Sequence, residues 1–416
     1  MLAMRRLGSP HIKSVFSQVG LPAALLVVGW LFLAQTVVPA AGQLTHGFSA
    51  YYTAGRVVLA GEPGARLYDE AWFADRVTEL SGGQARDIFL ATPPASAVLW
   101  LPLALLPIEA ARIVWTWLNV ALLALALGLI AHELRVGWQS IGFVGLAALF
   151  TLAAPVREQF QLGQMYVLLL WLHTIGWRAF IHERDRVAGI MLGLALALKF
   201  SGWPIGLVLL AYRRWRAAGW AAVTVFAVVL FTLPFVGWEA WRECLFVEVP
   251  AVVRSAYAPV PAYQTTTGFW QHLFRYDPLT NPGPIADILP VAIALTLLTT
   301  VAAVWAVLKW RDSASASFAA AVALTELLSP AAEQYHYVLL LLPLAVLWHA
   351  VWLRRSIGLL FGAMAATFLI AWPLAYKDPA AATGWNALLH YPRLYGGWVV
   401  FGALITLKQK LHSDST

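Results

Sequence analysis

Apolar runs near the length of a bilayer recur along most of the chain, separated by short basic turns and a few longer polar stretches. They predict helical spans near 20–39, 108–131, 138–156, 164–180, 187–198, 203–212, 217–236, 285–308, 315–330, 335–352, 356–375 and 395–408. The run 95–106 is short and bracketed by Pro93-Pro94 and Pro107, which reads as a broken or re-entrant helix. Lipid offers no partners to a bare backbone, so runs of this kind must be helices. The alternating ten-residue segments of an outer-membrane barrel are absent from the pattern. The expectation is an all-α polytopic membrane protein, one transmembrane domain over 1–416, with about twelve spans.

Basic residues set its orientation. Sixteen of the 28 Lys and Arg lie in Arg5/Arg6/Lys13, Arg135, Arg178/Arg184/Arg186, Arg213/Arg214/Arg216, Lys309/Arg311, Arg354/Arg355 and Lys408/Lys410. All fall on the cytoplasmic side if 95–106 does not cross and 187–212 is a hairpin of two short helices. Both termini are then cytoplasmic, and the long loops 41–94, 237–284 and 376–394 face the periplasm. Residues 20–39 read as a retained first span and not as a cleaved leader.

The most polar of these loops, Gln43 to Pro94, holds Glu62, Asp69, Glu70, Asp75, Glu79 and Asp87, six of the chain's 21 acidic residues. Within it Phe48, Tyr51, Tyr52, Gly55, Val58 and Leu59 recur at helical spacing and predict an amphipathic helix lying on the membrane surface. A second short helix is expected from about Asp69 to Leu80, closed by Ser81-Gly82-Gly83.

Composition narrows the function. The chain is 60% hydrophobic, and its net charge of +7 is spread over turns, which fits topology and not nucleic-acid binding. Its one cysteine excludes an internal disulfide and a cysteine metal cluster. No Walker A, GxGxxG or GxSxG motif occurs, against nucleotide hydrolysis, dinucleotide binding and an α/β-hydrolase.

The candidate chemistry lies at the outer ends of spans. A lysine at membrane depth is costly, so Lys199, before Phe200-Ser201-Gly202, either snorkels to lipid phosphates or holds the phosphate of a lipid-linked substrate. Arg157 could share that phosphate. Gln164 offers an amide to sugar hydroxyls or to a neighbouring helix. The break Ser329–Tyr337 gathers Glu333, Gln334, Tyr335, His336 and Tyr337, with Glu333 and His336 three apart on one face if the helix starts early. No spacing there suits a metal, so ligand hydrogen bonding is the preferred role. A lipid or polyisoprenoid carrier would also show many spans and charges at membrane depth, but no paired halves are visible.

With these segments in order, the chain resembles the GT-C class of membrane glycosyltransferases, and most closely glycosyltransferase family 87, the bacterial mannosyltransferase-like group. The resemblance rests on Phe48-x-x-Tyr51-Tyr52-x-Ala54-Gly55-Arg56 with Leu67-Tyr68-Asp69, on Pro93-Pro94 with Leu101–Pro107, on Gly163-Gln164, on Ala197-Leu198-Lys199, and on Leu328-Ser329-Pro330 with His336. It implies a sugar, such as mannose, moved from a polyprenyl-phosphate donor to a glycolipid or glycan acceptor at the outer face of the inner membrane, without cofactor or metal.

It also implies a general base in the first outer loop, an Asp just before Phe-x-x-Tyr-Tyr. That slot is Gly47 here, preceded by His46. Lys199 is followed by Phe200 where relatives have Pro, and Tyr335-His336 stands where they often have two His. An unperturbed imidazole titrates near about 6.5, so His46 is expected to replace the Asp as base, with Asp69 in reserve. Lys199, with Arg157 or His336, is expected at the phosphate. Tyr51, Tyr52, Gln164, Glu333 and Gln334 are expected at the sugar or acceptor. A family member that has lost its base, and only binds sugar-lipid, is the alternative that Gly47 raises.

Overall fold

Proline and side-chain caps set most of the helix starts in the computed structural model, which describes residues 19–89, 92–255 and 259–407. Pro94, Pro155, Pro204, Pro290 and Pro392 each sit in a first turn, where a missing N–H costs no helical bond. Ser140, Thr265, Ser313 and Ser356 each accept a backbone N–H of the turn they open. The described residues hold helices and turns, with a single isolated bridge pair, Asp277 and Asn281.

Among the described residues five helices are long and apolar enough to cross a membrane: α1 (Leu21–Ala41), α5 (Ile108–Glu133), α11 (Trp215–Val253), α13 (Leu289–Lys309) and α15 (Gln334–Arg354). Between the first two lie α2 (His46–Leu59), α3 (Glu70–Leu80) and α4 (Pro94–Leu99). A sixth crossing is made if α6 (Ile141–Leu152) and α7 (Ala154–Leu162) count as one span, bent by 41°. Pro155 has no N–H to carry the ladder across that bend.

The remaining predicted spans are helices too, but short ones: α8 (Tyr166–Ile181), α9 (Asp185–Lys199), α10 (Trp203–Ala211), α14 (Ala314–Leu327), α16 (Ile357–Ala371) and α17 (Pro392–Ile405). At 1.5 Å per residue they fall short of a hydrocarbon core of about 30 Å. Thus the predicted helices are present, while length and composition alone give five or six crossings where about twelve were expected. Helix α12 (Thr266–Phe274) lies between α11 and α13 in the chain.

Two breaks fall where proline and glycine predicted them. Residues 95–106 form α4 and a second short helix, Leu101–Ala104, parted at Trp100. The 187–212 hairpin turns through Phe200 and Gly202, at φ 52° and 89°. A Cβ at Gly202 would lie 2.6 Å from the His173 ring, so that turn needs glycine for space as well as for φ.

Two expectations change. Helix α2 does not lie on a surface: from Gly47 to Val58 every residue but Arg56 is buried, Ser49 and Thr53 included. Gly55 lets it press on the Trp100 backbone, where a Cβ would be 3.0 Å from the carbonyl oxygen. At residue 237, where the second outer loop was expected to begin, the helix is interrupted at Gly237 (φ 73°, ψ 167°) and a further helical stretch follows. Its apolar continuation holds Trp241 and Cys244 in the core.

Candidate functional site

The breaks between helices converge on a cavity of about 500 Å³. Helix α2 supplies Gly47 and Tyr51, the following loop supplies Asp87 and Thr92, and the α7–α8 junction supplies Gln164 and Tyr166. The α9–α10 turn adds Lys199, Phe200, Ser201 and Trp203, and the α14–α15 break adds Glu326, Glu333, Tyr335 and His336.

Each polar group is aimed by a neighbour. The Tyr51 hydroxyl donates to Gln164 Oε1 at 2.9 Å, and its ring stacks on Trp100 with centroids 5.3 Å apart. Gln164 follows Gly163, which takes a left-handed φ of 64° to end α7. The Gln159 amide then donates to the Gln164 carbonyl, and its Oε1 accepts from the Tyr166 N–H. Lys199 is the last residue of α9; its Nζ donates to Thr92 Oγ1 at 2.8 Å and lies 5.4 Å from the Tyr51 ring centre. The next residue, Phe200, takes a left-handed φ of 52° that ends α9, as Arg135, Glu183, Arg213 and Arg355 do at other helix ends.

Glu333 and His336 close a reciprocal cap at the start of α15. The Glu333 side chain accepts from the His336 N–H, and His336 Nδ1 accepts from the Glu333 N–H at 3.0 Å. A ring whose Nδ1 accepts carries its neutral-form proton on Nε2, so His336 faces the cavity as a donor. Tyr166 and Tyr335 pack on the ring at 4.3 and 4.2 Å. Burial pushes the Glu333 carboxyl up to about 6, with Lys377 opposing and Glu158 and Asp87 adding to the shift.

Asp87 is the cavity's other outer carboxylate. Burial pushes it above the ordinary range, against the Ile88 N–H bond at 2.9 Å and the charges of His46 and Lys199. The third, Glu326, is buried within α14 and feels the Lys199 charge. Among the described residues no group of three His, Cys, Asp or Glu is arranged to hold a metal.

The expected site residues divide. Tyr51, Gln164, Lys199, Glu333 and His336 come together in the cavity. His46, at the exposed start of α2, lies outside the lining. Asp69 caps α3, accepting from the Trp72 N–H at 3.2 Å and pairing with Arg66. The Tyr52 hydroxyl donates to the Leu106 carbonyl at 2.8 Å, which ties α2 to the turn ahead of α5. Arg157 is exposed outside the lining, and Gln334 bonds Arg393 Nη2 at 2.6 Å and Glu158. Asp87, Thr92, Tyr166, Ser201 and Glu326 were missed. Asp87 had only its share in the acidic loop as a signal, and Glu326 only a charge inside an alanine-rich apolar run.

Trp203 also belongs to a second recess, an apolar groove of about 650 Å³ that includes Leu192, Leu196, Leu207, Val225 and Phe226 of α9, α10 and α11. A polar cavity at helix ends thus adjoins an apolar groove through Trp203. The chain belongs to glycosyltransferase family 87, whose model matches residues 89–330, more than half of its 416 residues. It is a glycosyltransferase.

Named relatives agree. The chain is 27% identical over 371 residues, 84% of each chain, to the polyprenol-phosphate-mannose-dependent alpha-(1-2)-phosphatidylinositol pentamannoside mannosyltransferase of Mycolicibacterium smegmatis. It is 27% identical over 304 residues, 67% of this chain and 66% of the relative, to the polyprenol-phosphate-mannose-dependent alpha-(1-2)-phosphatidylinositol mannoside mannosyltransferase of Mycobacterium tuberculosis. No solved structure matches the chain.

Proposed function

We propose that this glycosyltransferase moves a mannosyl residue from a polyprenyl-phosphate donor to a mannosylated glycolipid at the outer face of the plasma membrane. One observation carries the donor class. The partly buried Lys199 stands in a polar cavity that shares Trp203 with an apolar groove, so a phosphate and the isoprenoid chain attached to it can be held together. The relatives' names, which state polyprenol-phosphate mannose as donor and a phosphatidylinositol mannoside as acceptor, support the same reading.

The chemistry follows from charge. The donor is a phosphodiester with one negative charge, and its leaving group is a phosphate monoester with a second charge developing. Lys199 offsets that charge in a poorly hydrated site, an effect worth a few kcal/mol of barrier. The His336 Nε2–H donates to the same phosphate or to a sugar hydroxyl. Gln164, fixed by Tyr51, offers its amide N–H groups to the sugar. A single displacement inverts the anomeric centre, and the phosphate leaves without metal or nucleotide.

A GT-C-like bundle of about twelve crossing segments, with the short helices tilted or paired in the membrane, agrees with the basic-turn pattern. Both termini are then cytoplasmic and the cavity opens to the periplasm. The test uses the full chain in lipid nanodiscs with labelled polyprenyl-phosphate mannose and phosphatidylinositol mannosides. Labelled, extended glycolipid is the expected product. Passage of donor across sealed vesicles without transfer would sink this reading in favour of a carrier.

A further inference from the structure

We propose that Asp87 is the general base of sugar transfer, replacing from the far end of the first outer loop the carboxylate missing at position 47. This rests on the glycosyl-transfer reading above.

Position 47 cannot take a carboxylate in this fold. A Cβ on Gly47 would lie 2.5 Å from Gln164 Nε2 and 2.8 Å from the Leu162 carbonyl oxygen. The Tyr51 hydroxyl holds the Gln164 Oε1, and the Leu162 carbonyl is backbone that cannot give way without moving the turn. The space of a side chain at 47 is therefore already filled by an amide that the sequence fixes through Gly163 and Tyr51.

Among the described residues three carboxylates line the cavity, and two of them are committed or enclosed. The Glu333 carboxylate accepts the His336 N–H and orients that ring. Glu326 lies within α14 and is 2% exposed, enclosed by the helix packing around it. Asp87 is partly exposed, and the one hydrogen bond it accepts comes from its neighbour's N–H to Oδ1, so a lone pair remains for an incoming hydroxyl. It sits on the outer loop, where a glycolipid acceptor arrives. Tyr51 and Phe89 line the cavity beside it as apolar walls of the kind that sugar rings stack on.

The surroundings suit a base. Burial makes the carboxylate more basic than a surface aspartate, while the Ile88 N–H bond and the His46 and Lys199 side chains oppose that rise. The other titratable groups that feel its charge are Glu333, Tyr51 and Tyr335. In the transfer step the acceptor O–H proton passes to the Asp87 carboxylate as the acceptor oxygen bonds the anomeric carbon. The bond from that carbon to the phosphate oxygen breaks, and its electron pair leaves on polyprenyl phosphate beside Lys199.

The test uses full-length protein in nanodiscs with polyprenyl-phosphate mannose. Asp87→Asn should lower kcat at least about 100-fold, the span a positioned base supplies, with donor binding within about threefold of the parent. Asp87→Ala should regain transfer as formate is added, and Asp69→Asn should transfer normally. Asp87→Asn within about threefold of the parent kcat overturns the assignment. So does loss of both donor binding and kcat in Asp87→Asn without formate rescue of Asp87→Ala, which marks a structural role. If the parent protein itself transfers no sugar to any glycolipid, the functional reading falls and the base assignment with it.

Discussion

Lys199 donates to Thr92 Oγ1 at 2.8 Å, joining the last residue of α9 to the residue that precedes Pro93-Pro94. One turn on, the Ser96 hydroxyl donates to the Leu198 carbonyl at 2.5 Å. The cation is thus held from the side of the outer loop and does not rely on its own flexible stem. A preorganised charge stabilises a departing phosphate more than a mobile one does, because less reorganisation accompanies the reaction.

Replacing Lys199 by Met should therefore lower kcat/KM by about 100- to 1,000-fold, the usual scale for removing one preorganised stabilising group. Lys199→Arg should keep a measurable fraction, since charge is retained and shape is not. Initial rates with labelled donor, beside a melting curve in detergent, separate this from misfolding. An undiminished rate in Lys199→Met would remove the residue from the phosphate site.

His336 acts as a donor held by its cap with Glu333. Gln sets an amide near the Nε2 position but cannot accept at Nδ1, so His336→Gln should keep more activity than His336→Ala while both lose stability. The expected loss for Ala is roughly 100-fold in kcat with a smaller change in KM, as for a group that tightens on the transition state. Equal KM and kcat effects would point instead to ground-state sugar binding.

Restoring the family's carboxylate should not restore a better enzyme. Gly47→Asp must displace Gln164 or the Leu162 carbonyl, so transfer should fall below the parent and the melting temperature should drop. Gly47→Ala should already show part of the drop. A Gly47→Asp enzyme faster than the parent would mean that Gln164 moves freely.

The pH profile has a predicted sign. The base works ionised, so activity is present at high pH and is lost as pH falls through the Asp87 pKa. Burial raises that pKa, so the acid limb of kcat/KM should sit above the ordinary aspartate value near about 3.9. His46 favours the ionised carboxylate, so His46→Ala should move the limb further up. A limb that stays put or moves down in His46→Ala contradicts the coupling.

Much of this could be read from residue order. A span's own backbone bonds, a Pro in a first turn and a Gly past the end are local facts, so the helices and the turn at Lys199 were legible in the pattern. The Glu333–His336 spacing was equally local and became a cap. The membership of the cavity was legible only in part. Asp69 looked like Asp87 in sequence, yet one caps α3 beside Arg66 and the other lines the cavity. Tyr51 and Tyr52 are neighbours, and helical geometry turns one hydroxyl to Gln164 and the other to the Leu106 carbonyl.

The sequence by itself determined a helical membrane protein of this glycosyltransferase family, with a cation at a helix break and a glycine where a carboxylate was expected. Tertiary structure alone decided that α2 is buried on all sides, that Gln164 fills the space above Gly47, and that Asp87 shares a cavity with Lys199. The reason is range. Helix formation in lipid is settled within a few residues by the backbone's own hydrogen bonds. A cavity wall is settled by which distant side chains pack together, and no periodicity along the chain records that.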